Sequence, residues 1–127
     1  MEQSKQEAKF IAKLRHIVYR ATDMEAMAHF FVKAFGMTIV HRRPNGGLDL
    51  SDGTINFAVL PLSVSGQRPG LDHIGFAVED EDEACRRIEA AGARKFGTTV
   101  DPYQVKFRGP EGIEVETGEW RGAQPIK

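Results

Sequence analysis

Apolar and polar positions alternate along residues 14–20, with Val18 and Tyr19 among them, and this period of two predicts a strand. The period then lengthens. Met24, Met27, Phe31 and Phe35 recur at helical spacing, which predicts a helix that turns these four side chains to the core. Thr22 or Asp23 supplies its cap, Glu25 stands in the first turn, and Gly36 ends it. Residues 38–42 are rich in β-branched side chains and read as a strand. Pro44-Asn45-Gly46-Gly47 is a turn, and residues 48–51 and 55–62 read as two strands around the Asp52-Gly53 turn. The order is βαβββ.

The same order returns. Residues 63–70, with Gly66, Pro69 and Gly70, read as a linker, and residues 72–78 as a strand. A helix is expected from Asp80 or Asp82 through Ala91, with Ala84, Ile88 and Ala91 on one face and Gly92 as its stop. Short strands follow near 94–96, 104–108 and 113–117, the last two joined through Pro110-Glu111-Gly112. Tyr103 and Phe107 are expected to face the helix, and Trp120 to pack against the C-terminal side. The halves also match residue by residue. His16-Ile17-Val18-Tyr19 and His73-Ile74-Gly75-Phe76 each place an aromatic three residues after the histidine, and Asp23 and Asp80 follow it by seven. An internal repeat fixes the architecture: an α+β fold of two tandem βαβββ modules. Module one is expected at 14–62, the linker at 63–70 and module two at 71–118, after a polar lead at 1–12.

Composition narrows the class. A chain of 127 residues with 41% hydrophobic content suits one globular domain. Seventeen basic and 18 acidic residues leave a net charge of −1, so no field of one sign draws nucleic acid or a charged membrane. Neither is an expected partner; a small-molecule substrate is. Cys85 alone excludes an internal disulfide. The first ten residues, MEQSKQEAKF, hold no apolar signal core, and a cytoplasmic location is expected.

Candidate chemistry gathers on His16, His73 and Glu116. Two imidazoles and one carboxylate bind a metal and leave coordination positions open, which a catalytic ion requires. Buried without a cation, the Glu116 carboxylate would carry a desolvation cost of several kcal/mol; its alternative partners are Lys106 and Arg108. Gln104, Lys106 and Arg108 alternate on one strand face. Lys106 there either holds an anionic substrate oxygen or guards a sheet edge. Asn56 reads as a polar pocket residue. His29 and His41 have no repeat partner of ligand type and read as surface residues, and Cys85 as a small buried side chain rather than a nucleophile.

Taken in order, these motifs resemble the vicinal oxygen chelate superfamily over residues 14–118. That group includes glyoxalase I, fosfomycin-modifying thiol transferases, extradiol dioxygenases, methylmalonyl-CoA epimerase and metal-free bleomycin-binding proteins. The run from Asp23-Met24-Glu25-Ala26 to Phe35-Gly36-Met37 looks like the family's first helix and its exit. Gly109-Pro110-Glu111-Gly112-Ile113-Glu114-Val115-Glu116 looks like its "DPDGxxIE" ending. The resemblance implies a glyoxalase-like fold, an open barrel that holds a metal through the first and last strands of each half. Its ligand positions fall at His16, near residue 58, His73 and Glu116. Counted from Gly53 as the last is counted from Gly112, the second position is Ala58, which cannot bind a metal. A His, His, Glu set resembles the extradiol and fosfomycin branches rather than the four-ligand glyoxalase and epimerase branch. The implied function is a metal-dependent, dioxygenase-like oxidoreductase whose small substrate binds through paired oxygens. Fe(II) is favoured, with Mn(II), Ni(II) or Zn(II) also fitting, and Lys106 and Asn56 serve the substrate. The alternatives are a fosfomycin-type thiol transferase, a glyoxalase/epimerase-like enzyme and a metal-free small-molecule-binding resistance protein. Two-module members usually pair, so a homodimer is expected.

Overall fold

The aspartates that follow the two histidines by seven residues are both helix caps. Asp23 precedes α1 (Met24–Phe35), and its Oδ1 accepts from the Ala26 amide at 3.0 Å. Asp80 does the same for α2 (Glu81–Ala90), accepting from the Glu83 amide at 3.0 Å. Each satisfies an amide that the first helical turn leaves unpaired, worth about 1 kcal/mol. The repeat in the sequence is therefore a strand, a cap and a helix, written twice. Gly36 closes α1 at φ 73°, its amide donating to Val32 O at 2.9 Å. That left-handed backbone is cheap for glycine.

The computed structural model describes residue 10, residues 12–96 and residues 104–118. Most of the polar lead, and the packing expected of Tyr103 and Trp120, lie outside these residues. The chain divides into two compact units, one containing Arg15–His73, the other Ile74–Trp120 with the residues up to Leu14. The first unit holds β1 (Ala12–Ala21), β2 (Thr38–Arg42), β3 (Leu48–Ser51) and β4 (Asn56–Pro61), ordered β2-β3-β4-β1. β1 runs parallel to β4, and the β2–β3 and β3–β4 pairs are antiparallel. The second unit repeats this with the part of β5 (Gly70–Val78) from Ile74 on, β6 (Arg94–Lys95), β7 (Gln104–Arg108) and β8 (Glu114–Gly118), ordered β5-β8-β7-β6. Here β5 is parallel to β8, and the other pairs are antiparallel. This is the α+β, twice βαβββ architecture expected. Among the described residues no helix is long and apolar enough to cross a membrane.

Register separates two faces in the first unit. Leu48 pairs with Val59 and Leu50 with Phe57, and these four pack with Ala28, Met24, Met27 and Phe31 of α1. The opposite face, one residue out of phase, carries Asp49, Ser51, Asn56 and Ala58, all buried. His16 and Val18 of β1 pair with Asn56 and Ala58 and extend it. One expectation fails on the apolar face. Phe35 is 69% exposed, because the helix ends at that residue and carries its last turn past the core. It stacks instead on Phe30 and Phe31. In the second unit Phe107 is fully buried and pairs with Val115, and Ala84 is the buried residue of α2.

Candidate metal centre

His16 and His73 come together. Their Nε2 atoms lie 3.3 Å apart, the rings meeting edge to face. Two imidazole nitrogens at about 2.1 Å from one ion stand roughly 3.0 Å apart at a right angle and roughly 3.4 Å apart at the tetrahedral angle. The observed spacing lies between these limits, so the separation suits one shared cation.

His73 is buried and held from behind. Its Nδ1 donates to Asp72 Oδ2 at 2.6 Å, and Arg20 Nε donates to Asp72 Oδ1 at 3.2 Å. Arg20 is itself anchored by Nη1 to Pro61 O at 2.9 Å. Burial pushes the Asp72 carboxyl up, but the hydrogen bonds from His73 and Arg20 outweigh it and hold the group below the usual carboxylate range. An ionised carboxylate only accepts. Nδ1 of His73 therefore carries the proton, and Nε2 keeps its lone pair for a metal, the arrangement that carboxylates behind ligand histidines impose.

Asn56, expected as a pocket residue, lies beside His16 in the β1–β4 register. Its Nδ2 donates to Asp49 Oδ1 at 2.9 Å, and Arg43 grips the same carboxylate through Nε at 2.9 Å and Nη2 at 2.8 Å. Burial raises the Asp49 carboxyl, and the bonds from Arg43 and Asn56 bring it below the ordinary value. Ala58 is buried directly across from Asp49, so the only side chain at the position counted for a fourth ligand is a methyl group.

Within the second unit Glu116 is buried on β8 and pairs with Lys106 across β7–β8. Lys106 Nζ stands 3.8 Å from Glu116 Oε2 and 3.9 Å from Glu114 Oε2, within ion-pair reach but beyond hydrogen-bond length. Arg108 lies over the Phe96 ring at 4.2 Å. Cys85 faces Glu81; burial first, then that carboxylate, raise its thiol, which disfavours a nucleophile. His29 and His41 are exposed. Sequence reasoning missed Arg20, Asp72, Arg43 and Asp49. An aspartate adjoining a candidate ligand histidine was the available signal for Asp72.

Against known proteins, the family model of the Glyoxalase/Bleomycin resistance protein/Dioxygenase superfamily matches residues 13–117. The chain belongs to that superfamily. An uncharacterized protein of Pseudomonas aeruginosa is 30% identical over 81% of this chain and 85% of its own length. The Mn(II)-bound glyoxalase from Novosphingobium aromaticivorans matches with a TM-score of 0.67 and 17% identity, across 92% of this chain and 42% of that one. The 2,3-dioxygenase LapB from Pseudomonas sp. KL28 matches with a TM-score of 0.66 and 17% identity, across 87% of this chain and 41% of that one. At these identities the solved structures share the superfamily's fold and no more. Within that fold, the two histidines stand on equivalent strands, β1 and β5.

Proposed function

We propose that this superfamily member is a metal-dependent oxidoreductase of the dioxygenase-like kind, with His16, His73 and Glu116 as its protein ligands. The observation that carries the reading is the 3.3 Å approach of two Nε2 atoms, one of them backed by an ionised aspartate. Two imidazoles and a carboxylate suit Fe(II) first, with Mn(II), Ni(II) and Zn(II) also compatible. The ion, when bound, supplies Lewis acidity and a template for reactants.

The chain's own residues do the rest. Asp72 and Arg20 keep the His73 ring in one tautomer and one orientation. Ala58 adds no fourth donor, and Arg43 keeps the Asp49 carboxylate occupied, so positions on the ion stay available to a substrate with two neighbouring oxygens. Lys106, half-exposed beside Glu116, offers its ammonium to an anionic oxygen of that substrate. The reaction class is incorporation of O2 into a small oxygen-chelating substrate such as a catechol or hydroquinone.

Metal analysis of anaerobically purified protein followed by O2 uptake with catechols and hydroquinones tests this. Bound Fe(II) and substrate-dependent O2 consumption support it. A protein that binds none of Fe, Mn, Ni or Zn refutes the metal; a metal-loaded protein that consumes no O2 refutes the oxidative chemistry.

A further inference from the structure

Alternation on β7 divides the second unit's sheet into two faces. Phe107 is fully buried, and its register partners are Lys95 and Val115. Lys106 and Arg108, one residue out of phase, belong to the opposite face. Register extends that face both ways. On β8, Glu116 stands across from Lys106 and Glu114 across from Arg108; on β6, Arg94 stands across from Arg108. Phe96 follows in phase with Arg94. Its amide donates to Lys106 O at 3.1 Å, and its ring lies 4.2 Å from the Arg108 guanidinium.

Arg94, Lys106 and Arg108 thus share this face with two carboxylates, and Lys106 takes both, at 3.9 Å from Glu114 and 3.8 Å from Glu116. Among the described residues neither the Arg94 nor the Arg108 guanidinium makes a hydrogen bond or an ion pair. Both residues are exposed. Like charges directly opposite in an antiparallel pair destabilise it. Protection of a sheet edge accounts for Arg94, since β6 ends the sheet, but not for Arg108 on the interior strand β7. A local conflict of this kind is expected at a functional site, where a bound group offsets it. With Glu116 given to an ion, Glu114 alone balances three cations.

We infer that Arg94 and Arg108 form an anion subsite, and that the substrate of the reaction proposed above carries a carboxylate at the end of its ring away from the paired oxygens. Guanidinium forks match the two oxygens of a carboxylate. Arg108 and Glu116 are diagonal neighbours across β7–β8, a relation that sets residues about 7–8 Å apart. One six-membered ring with a carboxylate opposite its oxygens suits that interval, and Phe96 gives it an apolar flank. The ring and its oxygens rest on the metal reading above; the anion subsite does not need the ion.

Anaerobic calorimetry on the Mn(II)-loaded full chain, with catechol and with protocatechuate (the same ring bearing a carboxylate), tests this. Protocatechuate is expected to bind about tenfold more tightly or better, the contribution of one charge-assisted hydrogen bond. The preference is expected to shrink with added salt, to fall in Arg94→Gln and in Arg108→Gln, and to vanish in the double variant. Equal affinities for the two ligands in wild type overturn the inference, and so does a preference that survives in the double variant. Benzoate titrated into the metal-free chain, followed by NMR of the arginine Nε–H groups, judges the anion subsite by itself. The Arg94 and Arg108 signals are expected to move together and to saturate, while that of Arg86, exposed but paired with Glu83, stays in place. Shifts no larger at Arg94 and Arg108 than at Arg86 overturn the subsite. A chain that takes up no Mn(II) overturns the metal reading and the chelated ring with it, and the benzoate result then decides the subsite alone.

Discussion

Replacing Asp72 by Asn gives a quantitative test of how the His73 ring is held. The carboxylate accepts from His73 Nδ1 at 2.6 Å and from Arg20 Nε at 3.2 Å, with side-chain exposure of only 22%. An amide keeps one acceptor oxygen and turns an NH2 toward one of these two donors. Charged hydrogen bonds contribute about 1.5–3 kcal/mol and neutral ones about 0.5–1.5 kcal/mol. The retained bond thus weakens by about 1 kcal/mol and the second is lost. Outer partners of ligand histidines typically govern 10- to 100-fold in metal affinity, which converts to roughly 1.4–2.7 kcal/mol. Asp72→Asn is expected near the lower end and Asp72→Ala near the upper. Competition against a chromophoric chelator for Zn(II) or Mn(II) at neutral pH measures both. Should Asp72→Ala bind the ion within twofold of wild type while melting at the same temperature, the ring needs no carboxylate behind it and the reasoning fails.

Removal of either imidazole, His16→Ala or His73→Ala, is expected to lower metal occupancy at least 100-fold, read by elemental analysis after dialysis. Arg43→Gln addresses the buried Asp49. In wild type the lowered Asp49 carboxyl contributes stability that is present above the ordinary value near pH 4 and lost as pH falls through its lower folded value. Without Arg43 the largest lowering influence is gone, and burial is opposed chiefly by the Asn56 hydrogen bond. The variant should therefore be about 1–3 kcal/mol less stable at pH 7, with the gap closing only as pH falls through the lowered folded value of wild-type Asp49, below the ordinary carboxylate range. Melting temperatures from pH 2 to 7 decide this, and a gap that widens toward acid contradicts it. Leu50→Ala should cost about 2–5 kcal/mol, and Phe35→Ala less than about 1 kcal/mol, in urea unfolding. Equal costs would contradict the burial assigned to the two sites.

The fold was legible because its signals are local and doubled. The histidine-to-aspartate spacing marks a strand leading into a capped helix, and it occurs twice. Strands β2, β3 and β7 begin and end where the alternation places them. The periodic Phe35 misled, since helical spacing identifies a face but not how far along the helix the core extends. The supports of the site were hidden for a different reason. Arg20 and Asp72 are 52 residues apart and meet only through the folded chain. Asp49 read as one polar residue in a short strand, and its bidentate grip by Arg43 depends on where the intervening turn delivers the guanidinium. The approach of His16 to His73 was inferred from the repeat rather than from either histidine's own neighbours.

Asp49 has one more consequence. It is a buried carboxylate across the strand pair from Ala58, and a single guanidinium grips it. Were Arg43 lost by mutation, the acid would no longer be bound to its cation. A buried acid whose only other side-chain hydrogen-bond partner among the described residues is the Asn56 amide would then stand on the sheet face that His16 shares, so a single codon decides whether that carboxylate is neutralised by its own chain.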